Sequence, residues 1–439
     1  MERHRADRGP SDCASAQRRR GAVRGPRGHR RAFVTLLVIG GVVNYLDRST
    51  LSIANTTMAK EFGLGTVEMG LLLSAFSWPY AIANLPAGYL VDKYGPKKMF
   101  AWAAAGWSLV GGLMSIANSF GVLYALRVLL GIAESPFFTA GLKVNQRWFN
   151  HKDRAVPVAV VNTGSQIANA IAPPLLVALL LAFGWRWMFV IIGLLGFIVV
   201  LVWLRLYRDP SARESWRSTD TRRAPRPAAR RSRRSGWGEL FKRSNTWFMI
   251  IGAFGIFYTV WVYLTWLPSY LQQALGFTLS QMGWIAMLPF ACGIAGVLVG
   301  GWLSNKLVKS GMNTVLSRKI PIVGGAGLAA AAVLPAAYVT NVPLVITLLC
   351  IGYFAAQVPI GCLWTLAADV APANHVASLG AIQNFGGFIG AAVAPIVTGA
   401  ILAATNNSYS LVFVVGGVLL LVGAIAYGVF VKDRSQAAA

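Results

Sequence analysis

Apolar stretches of membrane-crossing length, separated by short polar breaks, run along nearly the whole chain. About 20 apolar residues make a helix long enough to cross the hydrocarbon core. Runs of that length predict twelve spans near 33–56, 68–91, 99–118, 121–144, 155–181, 186–206, 245–270, 280–304, 317–338, 342–366, 376–402 and 410–431. Spans of this length and number predict an all-α membrane protein.

The spans repeat. GYLVDKYGPKK (88–98) follows span two, and GWLSNKLVKSG (301–311) follows span eight. Gly88/Gly301, Leu90/Leu303 and Lys93/Lys306 match at one offset of 213, with Asn305 answering Asp92. Pro173 in span five and Pro395 in span eleven recur at a similar offset. Twelve transmembrane helices in two pseudo-symmetric six-helix halves follow, at 32–206 and 245–432. Such repeats mark secondary transporters, whose site lies between the halves near the midplane. The remaining segments are a basic, disordered N-terminus (1–31), a basic linker (207–244) and a short tail (433–439).

Charge refines this picture. The 439 residues are 56% hydrophobic and 13% charged, with a net charge of +25. A basic surface of that size would suggest nucleic acid. The charge is not spread over a surface, however: residues 1–31 hold ten Arg and 205–243 hold thirteen Lys or Arg, together 23 of the 40 basic residues. With the N-terminus inside, cytoplasmic connections carry Lys93, Lys97, Lys98, Lys143, Arg147 and the linker, whereas external ones carry only Lys60 and Arg186. The positive-inside rule therefore places both termini in the cytoplasm. The Arg-rich segments then face anionic inner-leaflet lipid, and nucleic acid is not an expected partner. The four cysteines, Cys13, Cys292, Cys350 and Cys362, lack paired or metal-like spacing, so no disulfide, metal or cofactor is expected. The first apolar run has no cleavage site and continues as a full span.

Candidate chemistry lies where charge interrupts an apolar run. Asp47 and Arg48 sit side by side in span one, and Arg127, Gly131 and Glu134 fall at i, i+4 and i+7 on one face of span four. A charge at bilayer depth costs about 2.5–3.5 kcal/mol on insertion scales and marks function by default. Both spans belong to one half and could present all four charges to one cavity. An arginine stays protonated and can grip a carboxylate with two parallel bonds. A carboxylate's proton affinity rises on burial and falls beside an arginine, which is what proton coupling requires. Gln166, in NTGSQIANA of span five, suits either hydroxyl recognition or a helix–helix bond. Tyr258, Trp261 and Tyr263 on span seven read as packing or interface aromatics, Trp364 and Thr365 as possible contacts, and Asp369 as structural. His151 and His375 fall at cytoplasmic ends and read as solvated.

The loop Gly88-x-Leu90-x-Asp92-x-x-Gly95-x-Lys97-Lys98 resembles the signature loop of the major facilitator superfamily. Its glycines permit close packing and unusual backbone angles, and Asp92 and its basic residues can pair across the seam between halves or with a helix end. NYLDRSTLSIA, RVLLGIAESP, GWRWMF (184–189), LTWLPSYL (264–271) and AIQNFGGFIGAAVAPIVTG (381–399) complete a resemblance, over 32–432, to the anion:cation symporter family of that superfamily. Within it the chain is most similar to bacterial sugar-acid transporters of the D-galactonate, glucarate and hexuronate kind.

The resemblance implies a major facilitator fold and alternating access. It makes Gly88, Asp92, Gly95 and Lys97 a conformational latch, Asp47 and Glu134 the proton-coupling carboxylates, and Arg48 the arginine that holds the substrate carboxylate. Tyr45, Tyr80, Arg127, Gln383 and Asn384 match pocket positions, and Phe388 stands where many members have Asn. The expected protein is a monomer of the bacterial cytoplasmic (inner) membrane that imports a small organic anion with protons. An aromatic carboxylate such as phthalate, or a dicarboxylate, is the alternative substrate. No nucleophile with a base and no phosphate loop is present in the sequence, which argues against an enzyme.

Overall fold

The computed structural model describes residues 27–149, 155–209, 238–371 and 375–432. The expectations for the N-terminal segment through residue 26, for residues 210–237 of the linker, for the 433–439 tail and for His151 lie outside the described residues. Every regular element among the described residues is helical. In chain order these are α1 (Arg27–Phe62), α2 (Thr66–Ser74), α3 (Ser77–Tyr94), α4 (Pro96–Leu113), α5 (Phe120–Glu134), α6 (Pro136–Trp148), α7 (Ala155–Leu206), the short α8 (Gly238–Phe241), α9 (Ser244–Ser269), α10 (Leu279–Lys309), α11 (Thr314–Ala336), α12 (Val342–Gln357), α13 (Ile360–Val370), α14 (Val376–Ala404) and α15 (Ser410–Ile425).

Helix starts are set by side chains that satisfy the unpaired N–H groups of a first turn. Thr278 and Gln281 close a capping box at α10, with Gln281 N donating to Thr278 Oγ1 (3.3 Å) and Thr278 N to Gln281 Oε1 (3.0 Å). Asn313 and Asn341 accept first-turn N–H groups of α11 and α12. Gly95, at φ +81°, makes the corner between α3 and α4 in a region costly for a side chain.

Among the described residues, ten helical segments are long and apolar enough to cross a membrane. One of them, Gly164–Leu206, turns at Gly184 (φ +79°) and supplies two crossings, predicted as spans five and six. Helices α2 and α3 together cover predicted span two, which is consistent with twelve crossings.

Three predicted spans are interrupted. Span two breaks after Ser74, span four after Glu134 and span ten after Gln357. Each break lies just ahead of a proline: Pro79, Pro136 or Pro359. Proline has no N–H to donate and its ring clashes with the carbonyl four residues back, so the regular ladder stops there.

Close contacts between the first six spans and the last six gather at the end of the bundle that holds Phe62. Ser52 Oγ donates to the Thr265 carbonyl (3.0 Å), Asn55 and Ser269 exchange bonds (2.6 and 2.8 Å), and Thr56 Oγ1 donates to Gln272 Oε1 (3.2 Å). Helix α2 meets α14 so tightly that a Cβ on Gly70 would lie 2.5 Å from the Pro395 carbonyl oxygen, and one on Gly399 would lie 2.3 Å from that of Thr66. At the opposite end three ion pairs each stay within one set of six. Lys143 pairs with Asp92, Arg147 with Asp209 (2.6 Å) and Arg318 with Asp369 (3.4 Å).

Candidate functional site

Arg48 is the centre of the site. Its Nε donates to Glu134 Oε2 at 2.6 Å, and the Glu134 side chain is fully buried. Three rings surround the guanidinium, with Cζ 4.9 Å from the Tyr45 centroid, 4.7 Å from Phe76 and 4.9 Å from Tyr80. Such contacts are worth about 0.5–2 kcal/mol each, more where water is excluded. Phe76 also lies 5.5 Å from Arg127 Cζ, so one ring underlies both arginines.

Two of the helix breaks build this pocket. Glu134 is the last residue of α5, directly before the break at Pro136. Phe76 sits in the break between α2 and α3. Gly131 lets the two approach, since a Cβ there would lie 2.4 Å from the Phe76 carbonyl oxygen and 3.1 Å from Tyr80 N. Arg127, Gly131 and Glu134 are all buried, as their spacing on one face requires.

Asp47 is 2% exposed and packs on α4, where a Cβ on Gly111 would lie 2.5 Å from its Oδ1. Asp47 and Arg127 act on each other electrostatically, as do Asp47 and Glu134. The four charges of spans one and four thus form one buried cluster. Asp47 Oδ2, Glu134 Oε1, Arg48 Nη2 and Arg127 Nε and Nη1 are buried without a hydrogen-bond partner among the described residues. Each such atom costs about 1–3 kcal/mol, so packing alone does not account for the arrangement.

The other predicted residues are spread more widely. Gln166 on α7 is half-buried, with an unpartnered Oε1. Gln383 Nε2 donates to the Leu363 carbonyl (3.2 Å). Asn384 is half-buried on α14, one turn before Phe388. The Phe388 ring lies 5.0 Å from Tyr80, 5.6 Å from Trp261 and 6.1 Å from Phe257. Tyr263 is tied down by a bond from its Oη to the Leu349 carbonyl (3.2 Å), and Trp364 is 51% exposed.

The 88–98 motif is not a loop: residues 88–94 end α3, Gly95 is the corner and Pro96 opens α4, and Asp92 pairs with Lys143 of α6 inside the same six-span set, not across the seam. Gly95 takes the unusual backbone angle, whereas a Cβ at Gly88 would meet nothing within 4 Å, so in this conformation no neighbour requires glycine there. The Lys97 carbonyl accepts from Trp203 Nε1 (3.0 Å). In the second copy, Arg318 donates to Asp369, Ser304 (2.8 Å) and Asn305 (3.3 Å). Asp369 is therefore part of an ion pair at the end opposite Phe62.

Sequence reasoning missed Phe76, Arg318 and Gln357. Gln357 is 2% exposed with an unpartnered Oε1, and it ends α12 before Pro359 as Glu134 ends α5 before Pro136. The signal was present in the matched sequences AESP (133–136) and AQVP (356–359).

A model of the Major Facilitator Superfamily matches residues 37–395. The chain is 40% identical over 407 residues to the Escherichia coli (strain K12) protein named "Probable L-galactonate transporter", with 91% of this chain and 88% of that one covered. It is 32% identical over 427 residues to the "Probable galactarate/D-glucarate transporter GarP" of the same strain, covering 92% and 95%. The solved structure of a bacterial homologue of the human lysosomal transporter Spinster, in an inward-facing and occupied conformation, has the same fold. Its TM-score is 0.76 at 18% identity, over 94% of this chain and 99% of that one.

Proposed function

The chain belongs to the Major Facilitator Superfamily and is a multi-pass membrane transporter, not an enzyme; from that premise we propose that it imports a sugar acid with one or more protons by alternating access. The substrate is a hexonate, hexarate or hexuronate. The sugar-acid names of its relatives support this class and do not favour the aromatic-carboxylate alternative.

The observation that carries the reading is the buried Arg48–Glu134 ion pair at 2.6 Å within a cluster of two carboxylates and two arginines. With both carboxylates ionised the cluster is neutral, and adding an anion would leave an unbalanced buried charge. Protonating Glu134 removes its claim on Arg48 Nε and leaves the cluster one charge positive. Anion binding and proton binding then favour each other, which is the linkage a symporter needs. Arg48 grips the carboxylate, and Asp47 holds Arg127 in balance and is the second proton site. Tyr45 and Tyr80 flank the carboxylate, while Gln166, Gln383 and Asn384 meet hydroxyls of the polyol chain.

With both termini in the cytoplasm of a bacterial inner membrane, the Phe62 end, where the halves are in contact, faces outward. The Asp92–Lys143 pair and the Gly95 corner brace the segment Gly88–Lys97 while the two six-helix halves rock. The transporter works as a monomer, with its basic segments against anionic lipid.

Uptake of labelled L-galactonate, galactarate, D-glucarate and a hexuronate into proteoliposomes tests the function. At least one is expected to enter faster under an inward proton gradient than without one. Failure of all of them to enter would overturn the substrate class.

A further inference from the structure

The seam between the two halves changes character along its length. From the Phe62 end inward, Gly399 lies against the Thr66 carbonyl and Gly70 against that of Pro395, and Ser74 Oγ donates to the Ala392 carbonyl (2.7 Å). These are small residues, backbone against backbone. The next step, past the break between α2 and α3, is a pair of large rings, Tyr80 of α3 and Phe388 of α14, at 5.0 Å.

Tyr80 is buried and holds one face of the Arg48 cage. Phe388 is the one described hydrophobic residue beyond 238 grouped with the apolar cluster built from residues between Phe33 and Tyr207. On its other side Phe388 touches Trp261 (5.6 Å). The Trp261 carbonyl accepts from Thr265 Oγ1 (2.6 Å), and the Thr265 carbonyl accepts from Ser52 Oγ (3.0 Å). A contiguous path therefore runs from the charged cluster, through Phe388, to the hydrogen bonds that close the Phe62 end.

We propose that Phe388 is a positioning residue of the transport cycle, transmitting the pairing state of Arg48 through Tyr80 to the Phe62 end. When Arg48 leaves Glu134 its guanidinium shifts against Tyr80, and Tyr80 carries that shift to Phe388, its ring partner in the other half. The adjacent small-residue seam can open and close because nothing bulky lies between its backbones. This rests on the reading of Arg48 and Glu134 as an exchangeable pair, not on the identity of the sugar acid.

Contiguity does not itself measure coupling, and a double-mutant cycle does. The reporter is a cysteine in place of Thr57, which lines an open pocket at the Phe62 end with Lys60, Glu61 and Gln272. The full-length chain carries it with the four native cysteines replaced by alanine. Labelling by a membrane-impermeant maleimide is followed without substrate. Glu134→Gln, which mimics the protonated carboxyl, is expected to change the labelling rate about fivefold, the scale of one aromatic contact. In the Phe388→Ala background the change should collapse, and in Phe388→Trp it should persist. Equal fold-changes in all three backgrounds, or no change on Glu134→Gln in the parent, would overturn the proposal. Because no sugar acid is used, failure of the substrate assignment would show in the uptake assay and leave this cycle intact.

Discussion

Replacing Arg48 with lysine keeps the positive charge and removes the planar fork. Arg48 donates from Nε to Glu134 at 2.6 Å and lies against three rings at 4.7–4.9 Å. A lysine ammonium is a compact, strongly hydrated charge with no flat face to stack and no second parallel bond for a carboxylate. Loss of one charge-assisted bond costs about 1.5–3 kcal/mol, and loss of stacking about 0.5–1 kcal/mol. The sum, about 2–4 kcal/mol, corresponds to about 30- to 900-fold in uptake efficiency at 1.36 kcal/mol per tenfold. Initial rates of labelled sugar-acid entry into proteoliposomes, with matched protein incorporation, give that ratio. The fork is needed in every substrate-bound state, so the loss should fall chiefly on the half-saturating concentration. Uptake efficiency in Arg48→Lys within about threefold of the parent would refute the role of the fork, because charge alone would then suffice.

Three further outcomes follow from the packing. Gly70→Val places side-chain atoms where even a Cβ would lie 2.5 Å from the Pro395 carbonyl oxygen, so the seam at the Phe62 end cannot close; uptake should fall and maleimide labelling of a cysteine at Thr57 should rise. Gly111→Ala presses on the Asp47 carboxylate, 2.5 Å from the new Cβ, and should cut uptake at least about tenfold with normal membrane insertion, since small displacements of a working group are that costly. Deleting residues 1–25 should leave uptake of the inserted protein within about twofold, because basic termini of this kind act on topology and lipid contact; loss of uptake by a fully inserted truncation would contradict that.

The site's charges were legible in the sequence because charge in an apolar run has few physical explanations. Helical spacing put Arg127 and Glu134 on one face and depth set Asp47 and Arg48 level with them, and the structure brings all four together. The cage around Arg48 was only partly readable. Tyr45 and Tyr80 came from the family pattern, whereas Phe76 is one aromatic among many apolar neighbours, and its place beneath both arginines depends on a break in span two. That break, like those before Pro136 and Pro359, reads in retrospect as proline interrupting a helix.

Long-range partners left less signal. Arg186 was predicted as an external cation, yet it pairs with Glu61 (2.6 Å), which also accepts from Trp185 Nε1 (2.6 Å), across more than 120 residues of sequence. The small residues of the seam were visible as glycines, but a glycine does not name the backbone it approaches. Gly88 and Gly95 illustrate the limit. They belong to one motif, and only Gly95 adopts a backbone angle that requires glycine.

Coupling of substrate entry to the proton gradient through Asp47 and Glu134 is the central claim. The most direct measurement is accumulation of a labelled sugar acid in proteoliposomes at fixed external pH while internal pH is stepped, comparing the parent with Asp47→Asn and Glu134→Gln. The parent should concentrate the acid whenever the interior is more alkaline, while each variant should at most equilibrate it, whatever the gradient. Variants whose uptake still follows the imposed pH gradient would contradict the account.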